Sequence, residues 1–141
     1  MTVALIDDQA LSAVLRNKTP RPLRRRDLAT TGYWYVRLCQ AALTSVGHAG
    51  VLSGPFAQLP PAQRERAVNL LLELPAEIEL LSLRTLGPGI AQLRAHHRLN
   101  ILSIEVLAAA KELDAEVFLS APSPDLQAAL TAEGCRGRHL A

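Results

Sequence analysis

Three acidic residues stand where a folded chain could use them for chemistry. Asp7 and Asp8 directly follow the apolar run Val3–Ile6, and Glu105 lies in an apolar helical stretch just before a second such run, Val117–Leu119. Carboxylates that converge can hold Mg²⁺ when water and substrate supply the remaining ligands. The alternative for Glu105 is a structural one, a favourable interaction with the positive end of a helix dipole. The spacing leaves both roles open.

The elements that would position these acids can be predicted from the apolar pattern. Val3–Ile6 is typical of a buried strand and is followed by a helical pattern after Asp8. Around Glu105, apolar residues recur at helical spacing and predict a helix from Ser103, its expected N-cap, to Leu113. Glu105 would then lie in the first turn of that helix. The apolar run that follows predicts a core strand at residues 116–119.

The remaining segments alternate between helical patterns and breaks. We expect a helix whose N-cap is Asp27 or Thr30 and which is terminated by Gly47 and Gly50. Residues 78–83 are expected to be β-like. Further predictions are an exposed basic loop at 16–26, a loop at 50–61, helices at 61–74, 85–97 and 125–133, and a frayed tail at 135–141.

Three strands separated by helices predict an α/β fold, a three-layer sandwich with a central, mostly parallel sheet, formed by residues 1–141 as a single domain. The carboxyl ends of parallel strands meet at one edge of such a sheet. Asp7 should therefore lie near Ser120, which follows the third predicted strand, and near the start of the helix that holds Glu105. We expect the carboxylates of Asp7 and Glu105 to converge there.

Composition sets broad limits on the cell compartment of the protein and on the type of ligand that it binds. The net charge of +2 and the pI near 8.8 permit an anionic partner without requiring one. Cys39 and Cys135 show no metal-ligand spacing and are expected to be free thiols. The first residues lack a basic leader pattern, and no apolar run has the length that spans a bilayer, so we expect a soluble, cytoplasmic protein.

The motifs IDDQALSAVL and LSIEVLAAAKELDAEVFLS, with the order of elements around them, resemble a PIN domain, the nuclease fold of toxin–antitoxin toxins and related metal-dependent ribonucleases. The resemblance covers nearly the whole chain. It implies catalytic roles for Asp7 and Glu105 and one or two Mg²⁺ or Mn²⁺ ions. Asp7, Glu105, Asp8 and Asp125 would be the metal ligands. Such ions activate water and neutralise phosphate charge.

The departures from the PIN pattern affect the same site. Arg37 is the nearest candidate for the position of the second acid, and no carboxylate occurs from Leu28 to Arg64. The turn that usually carries the fourth acid contains Ser120 instead, which leaves Asp125 displaced along the chain. An arginine paired with Asp7 or Glu105 would remove the need for a cation.

Two functions follow from this pattern. The first is a PIN-like protein with a decayed metal site, which acts as a binding or regulatory module with RNA as an expected ligand. The alternative is an active Mg²⁺- or Mn²⁺-dependent ribonuclease, a toxin whose partner would be an antitoxin-type protein. A homodimer is predicted by the nearly continuous apolar run of the second helix, because one core-facing stripe cannot bury all of it; the run consists of Tyr33, Trp34, Tyr35, Val36 and Leu38. The basic loop 16–26 can contact a phosphate backbone or act as a solvated linker.

Overall fold

The computed structural model describes residues 2–44 and 50–140, and it is an α/β fold with one all-parallel sheet flanked by helices. The five strands are β1 (Ala4–Ile6), β2 (Leu28–Thr30), β3 (Ile78–Leu80), β4 (Glu116–Leu119) and β5 (Arg136–His139). Their order across the sheet is β3-β2-β1-β4-β5. The predicted three-layer α/β class is therefore confirmed.

Seven helices belong to the described part of the chain, together with a short 3-10 turn at Arg21–Leu23. They are α1 (Asp8–Leu15), α2 (Gly32–Thr44), α3 (Ser53–Ala57), α4 (Pro61–Leu72), α5 (Leu83–Arg94), α6 (Ile101–Leu113) and α7 (Pro124–Ala132). The predicted end of α2 at Gly47 falls outside the described residues. None of the described helices has the length and apolar character needed to cross a membrane.

The sheet is buried between two helical layers because its strand residues alternate between two apolar clusters. Leu5 and Val117 pack with α5, α6 and α7 on one face. Ile6 and Phe118 pack with α1, α3 and α4 on the other face. Helix α2 contributes to both clusters, through Trp34 on the first face and residues such as Leu38 on the second. This placement holds the carboxyl ends of β1 and β4 side by side.

The sequence analysis missed β2 and β5. Residues 28–30 were expected to lie at the cap of a helix, but they pair with β1 and β3, and α2 begins only at Gly32. The tail from Cys135 was expected to fray, whereas Arg136–His139 forms an edge strand on β4. The loop expected at 50–61 contains the short helix α3, whose Phe56 is buried.

Candidate functional site

Asp7 holds together the carboxyl ends of β1 and β4. Its side chain caps α1, because Oδ1 accepts a hydrogen bond of 2.9 Å from the backbone N–H of Ala10. The backbone N–H of Ser120, directly after β4, donates to Oδ2 at 2.6 Å, and the Ser120 hydroxyl donates to Oδ1 at 2.8 Å. The predicted proximity of Asp7 and Ser120 is confirmed. Three of the roughly four acceptor positions of this carboxylate are thus used by the protein itself.

Asp8 is the acid that pairs with Arg37. The Arg37 Nε lies 3.4 Å from Asp8 Oδ2, and the Asp8 side chain is only 7% exposed whereas that of Arg37 is 53% exposed. Sequence analysis considered a pair between Arg37 and Asp7 or Glu105, so the partner is different from either expectation. Asp8 Oδ1 accepts from the backbone N–H of Gln9, and Oδ2 is buried without a hydrogen-bond partner among the residues that the structure describes.

Burial raises the pKa of Asp8 above its ordinary value of 3.8, against the lowering effect of Arg37 and with a smaller raising effect from Asp7. A carboxyl whose pKa is higher in the folded chain binds its proton more tightly there. Its contribution to stability is therefore most favourable below pH 3.8 and is lost as the pH rises through the folded-state pKa.

The Asp8→Asn variant should consequently have a higher melting temperature than the wild type at pH 7, with the difference disappearing near pH 3. The asparagine carbonyl can still accept from Gln9, and the half-exposed Arg37 can turn to solvent. Thermal unfolding at the two pH values measures this, with Glu77→Gln, at an exposed position outside the helices, as a control that should change nothing. A variant less stable than wild type at pH 7 would mean that the Arg37 pair outweighs the desolvation of Asp8.

Glu105 makes a contact that the sequence analysis did not consider. Its side chain is fully buried, and Oε1 accepts a hydrogen bond of 3.0 Å from the backbone N–H of Tyr33 in the first turn of α2. Oε2 has no hydrogen-bond partner in the described part of the chain and lies beside Gly32, where an added Cβ would be 3.4 Å away. Glu105 therefore places a carboxyl group at the positive N-terminal end of α2. Its proximity to Asp7 stays a prediction.

The start of α6 explains this placement. Asn100 is the N-cap, and its side chain accepts a hydrogen bond of 2.8 Å from the backbone N–H of Ser103. The expected N-cap, Ser103, is therefore the third residue of the helix. Glu105 consequently lies beyond the first turn, in which no acidic residue occurs. An Asn followed by an apolar run is itself an N-cap signal and could have indicated the correct start.

A small cleft of about 240 Å³ lies at the carboxyl edge of the sheet, next to these groups. Asp7 and Asp8 line it together with Trp34, Arg37 and Ser103. Helix α6 contributes Leu102 and Ser103 to the cleft, whereas Glu105 is not among the lining residues. The sequence analysis considered Ser103 as an N-cap and not as part of the site. Asp125 is exposed and lines a different surface depression with His96 and His97.

These donors do not fit the centre of three or four carboxylates that the PIN resemblance implies. The cleft offers two, of which Asp7 is largely engaged by Ala10 and Ser120, and Asp8 faces the guanidinium of Arg37. A fixed cation beside a carboxylate competes with a metal ion for the same negative charge. Within residues 2–44 and 50–140, no group of three or more His, Cys, Asp or Glu side chains is placed to hold a metal ion.

Neither a scan against protein-family models nor a search of curated proteins finds a match for this chain.

Proposed function

We propose that this chain is a PIN-like protein that acts as a binding module, with RNA as its ligand, and not as a metal-dependent nuclease. The observation that carries the proposal is the ion pair between Arg37 and Asp8, because it places a protein cation at the cleft where the family resemblance implies a metal ion. The polar contacts of Asp7 support it further, since they assign that carboxylate a structural task.

RNA is the proposed ligand because of the distribution of positive charge. Six of the fifteen cationic side chains belong to segment 16–26, which contains no acidic residue. Arginine predominates in this segment, and its planar guanidinium binds phosphate in a bidentate way that lysine cannot match. The proposal includes a cytoplasmic location. It also includes a homodimer that pairs through α2, since Tyr33 and Val36 are 36% and 50% exposed.

An active Mg²⁺- or Mn²⁺-dependent ribonuclease is the second candidate, and one observation favours it. Asp8 Oδ2 is buried without a hydrogen-bond partner and stands next to Asp7 in the same cleft. Such an oxygen is a good ligand for a hard divalent cation if Arg37 swings away. The side chain of Arg37 is half exposed, so this movement meets little resistance from packing.

The Arg37→Glu variant separates the two candidates. It replaces the cation of the pair by a third carboxylate, whose repulsion with Asp8 is relieved by a bound cation or by protonation. We expect Mn²⁺ at ten times its dissociation constant to stabilise this variant by about 1.4 kcal/mol, which raises its melting temperature by about 5 °C. The wild type should show no Mn²⁺-dependent shift and no metal-dependent cleavage of RNA.

The matched control is Arg37→Gln, which removes the cation without adding an acid and should bind Mn²⁺ less tightly than Arg37→Glu. Calorimetric titration and thermal unfolding give two independent measures. Metal-dependent RNA cleavage by the wild type, lost in both Asp7→Asn and Asp8→Asn, would establish the nuclease and overturn the proposal.

A further inference from the structure

One face of the edge strand β5 carries positive charge and is not covered by a helix. Arg136 and Arg138 are both exposed. They are in register with Glu116 and Phe118 of β4, so their side chains share the face of the sheet to which Phe118 belongs. The opposite face is occupied by α7, since a Cβ added at Gly137 would lie 3.0 Å from a methyl group of Leu130.

Arg26 connects this strand to the basic loop far away in the sequence. Its Nη1 lies 3.1 Å from Glu116 Oε1, and its Nη2 donates to the backbone carbonyl of Thr2 at 3.3 Å. The guanidinium carbon of Arg26 is 4.9 Å from the centre of the Phe118 ring, and that of Arg138 is 5.6 Å from the same ring. Two arginines from distant segments are therefore held against one buried ring, which orients their planar groups.

We define the basic face as the exposed or half-exposed arginines of the loop and of β5, two of which, Arg26 and Arg138, meet at the Phe118 ring. Its members are Arg21, Arg24, Arg25, Arg26, Arg136 and Arg138. They are six of the fifteen cationic side chains of the protein. Asp27 follows Arg26 in the sequence, and Glu116, which is in register with Arg136, already pairs with Arg26.

The basic face and the acidic cleft belong to different parts of the sheet. The loop 16–26 leads into the amino end of β2, and Arg26 contacts the first residue of β4. Asp7 and Ser120 instead follow the carboxyl ends of β1 and β4. A polyanion on the basic face would thus meet Arg26 and Arg136 at the amino edge and Arg138 further along the strand, on the face of the Phe118 ring, and it would avoid the carboxylates of the cleft.

We infer that the backbone of single-stranded RNA docks on this basic face and not in the cleft that contains Asp7 and Asp8. The inference deepens the proposed RNA-binding function and rests on it. Charge complementarity supports it, because arginines fixed at the surface neutralise phosphates and release counterions. A single strand suits this face because its flexible backbone can follow a loop and a strand edge without a groove-reading helix.

The experiment measures binding of a fluorescent single-stranded RNA by anisotropy over a range of salt concentrations. The logarithm of the binding constant falls with the logarithm of the salt concentration, and each phosphate contact adds about 0.7 to the magnitude of that slope. Arg136→Gln/Arg138→Gln should therefore reduce the slope by about 1.4 and weaken binding about 25-fold at 0.1 M salt. Arg21→Gln/Arg25→Gln should act in the same direction. Arg136→Lys/Arg138→Lys keeps the charge and should recover most of the salt dependence.

The matched control is Arg84→Gln/Arg94→Gln, which removes two exposed charges from α5, on the other helical layer, and should leave affinity within about two-fold. Thermal unfolding verifies that each variant is folded. Equal affinity of the wild type and the β5 variant, or a loss caused only by Arg37→Gln, would overturn this docking face while leaving RNA binding intact. Binding of phosphatidylserine vesicles or of an acidic protein, without binding of RNA, would overturn the docking inference and the proposed RNA ligand together.

Discussion

The Asp7→Ala variant is expected to lose about 4 kcal/mol of the free energy of unfolding. It removes the N-cap of α1, which contributes about 1 kcal/mol, and two donors of Ser120 lose a charged acceptor, each at a cost of about 1.5 kcal/mol or more. Asp7 is 5% exposed, so water cannot readily take its place. Chemical denaturation monitored by circular dichroism measures the change.

Two further variants divide this loss among its causes. Asp7→Ser retains an acceptor for the N–H of Ala10 and should recover about 1 kcal/mol. Ser120→Ala removes only the hydroxyl contact to Oδ1. Because Asp7 and Ser120 interact directly, the double variant should be less destabilised than the two single changes added together. Full additivity, or a loss below about 1 kcal/mol for Asp7→Ala, would show that Asp7 does not join the two strands in solution.

The parts of the fold that sequence analysis predicted are those in which burial determines residue type. β1 and β4 are in the centre of the sheet, covered on both faces, and so they consist of continuous apolar runs. Once both were assigned to one parallel sheet, their carboxyl ends had to lie together. The contact between Asp7 and Ser120 followed from that argument without any knowledge of side-chain geometry.

The parts that were missed form for other reasons. β5 is an edge strand with one face in solvent, so its sequence RGRH shows no apolar pattern, and exposed arginines on an edge are a common protection against aggregation. β2 has only three residues, flanked by Asp27 and Thr31, which resemble the start of a helix. In both strands, backbone pairing with a neighbour decides the structure, and a single sequence does not show which neighbour is present.

The site was predicted in part, for a related reason. Asp7, Asp8 and Arg37 come together, but the shift of the α6 N-cap from Ser103 to Asn100 changes which residues the first turn presents. Ser103 and Glu105 are two residues apart on this helix, so their side chains project about 200° from each other, on nearly opposite sides. Ser103 therefore lines the cleft, whereas Glu105 points to α2.

The Glu105→Ala variant is expected to be destabilised by about 3 kcal/mol. It leaves a cavity in a fully buried position and deprives the backbone N–H of Tyr33 of its acceptor, and each effect costs between 1 and 3 kcal/mol, roughly. Glu105→Gln keeps the volume and an amide oxygen that can accept from Tyr33, so it should lose less than about 1 kcal/mol. Denaturant titration of both variants, with exposed Glu112→Ala as control, measures the difference.

The comparison of Glu105→Ala with Glu105→Gln tests the role of Glu105 as well as its contribution to the free energy of unfolding. If the Glu105 side chain supports the start of α2, stability depends on its volume and on an acceptor oxygen. Glu105→Ala should then lower the free energy of unfolding, whereas Glu105→Gln should have little effect. A metal ligand is sensitive to negative charge, so glutamine should abolish any Mn²⁺ response while leaving stability in metal-free buffer unchanged. Equal stability of wild type and Glu105→Ala, together with a Mn²⁺ response lost in both variants, would return Glu105 to the catalytic role that the PIN resemblance implies. We expect the opposite, because among the described residues this carboxylate accepts its hydrogen bond from helix α2, and its second oxygen is enclosed beside Gly32.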